Sequence, residues 1–282
     1  MAAENWNRKT WVLAGPVILS NISVPLLGAV DTAVVGHLPG PHYLGAVAVG
    51  ALIFSVIYGG CNFLRMGTTG LTAQSVGARD ADQVRSWLAR AGLLAFAVGI
   101  LLIALQGPVI WAALKIVNPS AQVAPLTDGY FSIRIWGAPF ALLNFALLGW
   151  FFGIQNTRAA LATQVIMNGV NIVLDLWFVW GFGWGVEGVA WATLISEVSA
   201  VGLGLWLVAR NLERLGGQWR LKRILDVTRL ARMVKVNSDI FIRSICLQAA
   251  FVLVTSIGAR MGDLILAVNA ILLNFQILSS YA

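Results

Sequence analysis

Apolar residues along this chain do not alternate with polar ones; they run in long blocks separated by short polar interruptions. A helix needs roughly 20 apolar residues to cross a bilayer. Eight blocks meet that length: 11–38, 43–73, 86–114, 127–152, 159–181, 187–209, 233–258 and 263–282. The separators hold residues that end helices, as in Pro39-Gly40-Pro41, Gly77-Ala78-Arg79-Asp80, Asn118-Pro119-Ser120, Gly181-Phe182-Gly183 and Arg260-Met261-Gly262-Asp263. Open strands would leave backbone groups unpaired in lipid, and no block alternates as a barrel strand does, so every block is a predicted helix.

Composition agrees with the pattern. Of 282 residues 59% are hydrophobic and only 11% charged, with a mean hydropathy of +0.80, too few charges to cover a soluble globule. The net charge of +7 does not point to nucleic acid, because Lys and Arg gather in the short gaps between apolar blocks. With the N-terminus inside, fourteen of them fall on the cytoplasmic face and only Lys115 and Arg260 lie clearly outside, which predicts an inner-membrane protein with a cytoplasmic N-terminus. The first block has the Arg8-Lys9 lead of a signal peptide but runs to about residue 38 without a small-residue cleavage site, so it reads as a mature helix. Cys61 and Cys246 lie within apolar blocks and make no disulfide framework.

The longest charged segment, 210–235, divides the chain into a six-helix lobe over 1–209 and the start of a second lobe, two helices, over 236–282. The segment itself is a cytoplasmic basic linker, lying on the anionic inner leaflet as an amphipathic helix or solvated. Val35-Gly36-His37-Leu38-Pro39-Gly40 is weakly repeated in Ile257-Gly258-Ala259-Arg260-Met261-Gly262, an offset of 222. Six spans separate the copies, so both lobes would enter from the same side, related by an axis along the membrane normal. On this reading the second lobe breaks off after two helices, leaving about four of a twelve-helix protein missing.

Against this background Asp31, near the outer end of the first block, needs a reason. An aspartate at the centre of a membrane helix costs about 2.5–3.5 kcal/mol and marks an ion or substrate path. The fifth block adds Asn168, Asn171 and Asp175 on one helical face, and the sixth adds Thr193 with Glu197 one turn on. Asp31 stands seven and Asp175 six residues before the outer ends of their blocks and Thr193 six after the start of its own, so each lies about 9–10 Å below the outer surface. Two carboxyls at one level in low dielectric can share a proton, and with Asn171 and Thr193 the oxygens also suit Na⁺. The blander readings are packing hydrogen bonds for Thr193 and for Asn21, Asn144 and Gln248, a helix–helix pairing for Glu197, and mutual neutralisation of Asp239 and Arg243 at i, i+4. As functional groups Asn21, Asn144, Asn168, Glu197, Asp239, Arg243 and Gln248 would line a substrate cavity or relay. Pro25, six residues before Asp31, permits a bend there, as hinge or static kink. No metal-ligand cluster, phosphate loop or nucleophilic triad is present in the sequence.

The stretch Val30-Asp31-Thr32-Ala33-Val34-Val35-Gly36-His37-Leu38 closely resembles the multidrug and toxic compound extrusion (MATE) family in its DinF-like branch. The likeness continues in Phe63 to Gln74, in Asn171-Ile172-Val173-Leu174-Asp175 and in Asp239-Ile240-Phe241-Ile242-Arg243-Ser244. It implies an all-α polytopic helical bundle, two six-helix lobes when full length and monomeric. It also implies an antiporter, not an enzyme, with no cofactor, exporting drugs or organic cations in exchange for inward H⁺ or Na⁺. The family's N-lobe cation site carries over onto Asp31, Asn171, Asp175 and Thr193. Its partners would be a small amphipathic or cationic substrate and the lipid bilayer, without nucleic acid. Three other readings compete. A lipid-linked oligosaccharide flippase of the same superfamily would favour a basic cavity, and an intramembrane prenyltransferase would need Asp-rich Mg²⁺-diphosphate motifs in place of isolated carboxylates. The third is an inactive fragment of a transporter.

Overall fold

The computed structural model describes residues 6–260 and residue 272, without the side chains of 6–9, 13, 20–29, 251, 252 and 254–260. The expected eighth span, apart from residue 272, lies outside them, and so do the side chains of Asn21 and Pro25. Eleven α-helices follow one another among the described residues, with no strand. They are α1 Trp6–Gly36, α2 Pro41–Gly60, α3 Phe63–Gly77, α4 Ala81–Ala104, α5 Gln106–Val117, α6 Val123–Arg134, α7 Ala138–Gly153, α8 Thr157–Asp175, α9 Gly185–Leu215, α10 Leu221–Ile224 and α11 Val227–Arg260.

Several expected spans are broken where the sequence pattern suggested continuity. The second divides at a turn through Cys61 and Asn62 into α2 and α3, and the third divides at Leu105 into α4 and α5. The fourth passes from α6 to α7 through a 3₁₀ turn, Ile135–Gly137, just before Pro139, which has no N–H to continue an α-helical ladder. The fifth ends in a single π-helical turn, Leu176–Gly181. Among the described residues five stretches are long and apolar enough to cross a membrane: Pro41–Gly77, Ala81–Ala104, Val123–Gly153, Thr157–Gly181 and Gly185–Leu215.

The helices pack around two centres. α7 lies against both α3 and α4, and its near-continuous apolar sequence matches an element enclosed on several sides, with Leu147, Trp150 and Phe151 fully buried. Gly149 and Gly153, one turn apart, let α7 approach α3 closely: a Cβ on Gly149 would run into the backbone carbonyl of Arg65, and one on Gly153 into Thr72. Small residues spaced this way are how membrane helices bring backbones together without a hydrophobic drive between them. The second centre is the α1, α8 and α9 group, in which α8 packs on both of the others. Leu93, Phe96, Ile100 and Leu101 on α4 face outward, as lipid-facing side chains do.

The 210–235 segment is not one long amphipathic helix: it holds the end of α9, the short α10 and the start of α11, and most of its residues are exposed. Only the four residues of α10 are helical between the end of α9 and the start of α11, and they are fastened to α4. Arg90, fully buried, donates through Nε to the carbonyl of Ile224 at 2.9 Å and through Nη2 to that of Arg223. Arg85 donates to Leu212 and Gly216 carbonyls at 2.6 and 2.7 Å. Arg223 pairs with Asp80 at 3.1 Å and Arg220 with Asp82 at 3.0 Å. Asp80 also caps α4 by accepting from the Gln83 N–H.

Candidate functional site

Asp31 is on the penultimate turn of α1, Asn171 and Asp175 are one turn apart at the end of α8, and Thr193 is in the third turn of α9. Because α8 packs on α1 and α9 together, the face that carries Asn171 and Asp175 is enclosed between them, and both side chains have no exposed surface. Asp31 is half-buried and its carboxyl lies within hydrogen-bonding reach of the Asp175 carboxyl. Two carboxylates cannot hydrogen-bond as anions, so a contact of this kind is favourable only with one proton between them. Oδ1 of each has no hydrogen-bond partner in the protein.

Asn171 completes the arrangement. With its amide oriented to satisfy both ends, it donates to Asp175 Oδ2 at 3.3 Å and accepts from the Thr193 N–H at 3.2 Å. Thr193 spends its hydroxyl proton on the Val189 carbonyl at 2.9 Å, so its oxygen is left as an acceptor. A ring of carboxyl, amide and hydroxyl oxygens with two unpartnered carboxyl atoms can hold a proton or a hard monovalent cation. Among the described residues no group of three His, Cys, Asp or Glu side chains converges as a metal site. The π-helical turn begins at the residue after Asp175, a feature common at functional positions in helices. It presents Trp177 and Phe178 to a ring cluster with Phe182 and Trp184.

The other sequence-predicted residues divide into two groups. Asn168 accepts from Gln164 at 3.3 Å one turn inward of Asn171, and Asn144 on α7 contacts the sulfur of Met167. Glu197, buried, stands one turn inward of Thr193. These three extend the polar face of the site. Asp239, Arg243 and Gln248 are exposed on α11, which packs on α3 and α2, and so are not brought to it. The expected Asp239–Arg243 pairing does not form among the described residues; Arg243 instead turns to the sulfur of Met66 at 3.5 Å. Sequence reasoning missed Arg134. It closes α6, donates to the Tyr130 hydroxyl at 2.7 Å, lies 4.5 Å from the centre of the Phe54 ring, and reaches Asp31, Asp175 and Glu197 electrostatically. The sequence shows it as a cation within an apolar block, but not which way its long side chain turns.

The MatE family model matches residues 16–177, more than half of the chain and the segment that includes Asp31, Asn171 and Asp175. The chain belongs to the MatE family. Members are transporters, so this MatE protein is a multi-pass membrane protein and not an enzyme. It is 42% identical to DNA damage-inducible protein F of Escherichia coli (strain K12), over 98% of this chain and 60% of that protein. It is 22% identical to multidrug export protein MepA of Staphylococcus aureus (strain NCTC 8325 / PS 47), over 89% of this chain and 56% of that one. A crystal structure of MATE in the bent conformation superposes with a TM-score of 0.85 at 22% identity, covering 95% of this chain and 60% of that one. That likeness establishes an all-α MATE-type fold. The chain thus spans about 60% of the length of these relatives.

Proposed function

We propose that this MatE protein works in a secondary antiporter that exports drugs or other organic cations in exchange for H⁺ or Na⁺, with the cation held by Asp31, Asp175, Asn171 and Thr193. The observation that carries the reading is the contact between the Asp31 and Asp175 carboxyls on two different helices, each with an unpartnered oxygen. A cation entering from outside neutralises the pair and draws α1 onto α8. Its departure leaves two anions side by side, whose repulsion loosens α1. Because α1 holds the carboxylate nearest its outer end, occupancy of the site becomes a movement of a whole helix, with Pro25 as the hinge. Residues 1–209 act as one lobe, 210–235 as the cytoplasmic link and 236–282 as the start of a second lobe, in an inner membrane with the N-terminus in the cytoplasm. The name of MepA, a multidrug export protein, supports the substrate class.

The test is accumulation of a fluorescent organic cation in inverted vesicles bearing the protein, driven by either a proton or a Na⁺ gradient. Accumulation that follows one gradient and is lost in Asp31→Asn is the expected result. Normal accumulation in the variant overturns the proposal.

A further inference from the structure

Glu197 stands apart from the paired carboxyls. It follows Thr193 by four residues on the same face of α9, about 6 Å further along the axis. Its side chain is 6% exposed, yet Oε2 has no hydrogen-bond partner. Two neighbouring polar atoms share that condition: the hydroxyl of Tyr58 on α2 and Nε of Arg134 on α6. Glu197, Tyr58 and Arg134 all interact electrostatically with one another. One buried acceptor and two buried donors left unpaired on three helices are individually unfavourable; together they make a polar enclosure that water and a proton would satisfy. Gly137, in the 3₁₀ turn, leaves the room for it, since a Cβ there would collide with Oε2 of Glu197.

The charge balance selects the ion. Arg134 is fixed by its hydrogen bond to Tyr130 and by the Phe54 ring, and a guanidinium does not give up its charge. A metal cation beside Glu197 would sit against that fixed charge, whereas a proton adds no second ion to the enclosure. The remaining ionisable groups around this space are Asp31 on α1, Cys61 just after α2, Tyr130 on α6 and Asp175 on α8; α7 and the 3₁₀ turn bring none.

We propose that Glu197 is a second proton-exchanging carboxyl, one helical turn inward of the Asp31–Asp175 pair, with Arg134 as its fixed counter-cation. The inference rests on the reading of that pair as the cation site. In the step it performs, the O–H bond of a protonated carboxyl of the pair breaks, the proton passes to water and then forms an O–H bond with the Glu197 carboxylate; no electron is transferred. The site would thus favour proton over Na⁺ coupling and give the proton an inward way station.

Infrared titration of the protonated-carboxyl band tests this on the purified protein in nanodiscs, with circular dichroism establishing that each variant keeps its helix content. Wild type is expected to titrate in two populations. Glu197→Gln loses one and keeps the one that Asp31→Asn removes, while Glu197→Asp retains the first at a displaced position. A Glu197→Gln variant that titrates as wild type, or an unmoved band in Glu197→Asp, overturns the proposal. If Asp31→Asn alone changes nothing, it is the reading of the Asp31–Asp175 pair that fails.

Discussion

Asp175 is fully buried against another carboxyl, an arrangement that burdens the fold. Asp175→Asn keeps shape and hydrogen-bonding capacity while removing the charge, so thermal unfolding is expected to show a protein at least as stable as wild type that has lost cation exchange. Thr193→Val works in the opposite sense. It preserves volume but removes the bond to the Val189 carbonyl, and is expected to lower stability by about 1 kcal/mol in the same unfolding measurement. At this scale the sequence was readable for acids and not for the base. A carboxylate within an apolar run is short and cannot reach water, so depth along the helix was enough to bring Asp31, Asp175 and Thr193 to one level. An arginine has a long stem that can carry its charge to an interface, and the sequence does not tell whether it does. Arg134 instead folds its charge inward onto Tyr130 and Phe54.

The helices were legible as long apolar runs, and their breaks were not. Hydropathy reports how much apolar length is present; it is blind to a turn at Cys61 and Asn62 or to the π-helical widening after Asp175, both made from residues as apolar as their surroundings. The 210–235 segment was open between two readings because its structure is decided by a partner 130 residues away in sequence, the Arg90 side chain reaching Ile224 and Arg223. Arg90→Met keeps the packing volume and leaves those carbonyls without their charged donor, a loss of about 1.5–3 kcal/mol. Faster hydrogen exchange over residues 221–225 together with a lower unfolding temperature is the expected outcome. Gly149→Leu is expected to be more severe. The new side chain would have to displace the backbone of α3 at Arg65, and loss of the monodisperse peak in size-exclusion chromatography would register the failure to pack.

For the molecule as a whole, the charge asymmetry between the two sets of loops predicts an orientation in which the fastened basic segment faces the cytoplasm. With the native cysteines replaced, a cysteine at Gln218 is expected to react with an impermeant thiol reagent only from the cytoplasmic side, and one at Ser120 only from outside. In that orientation α1 would offer its carboxylate to the outer half of the membrane while the α4–α10 clamp holds the inner half, and under the proposed mechanism cation exchange would move α1. The proposed mechanism requires that the paired carboxyls exchange a proton. Proton uptake by the purified protein after a downward pH step, followed with an indicator dye in weak buffer, measures this directly. Wild type should take up about one proton per chain more than the Asp31→Asn, Asp175→Asn double variant; equal uptake by the two would contradict the central claim.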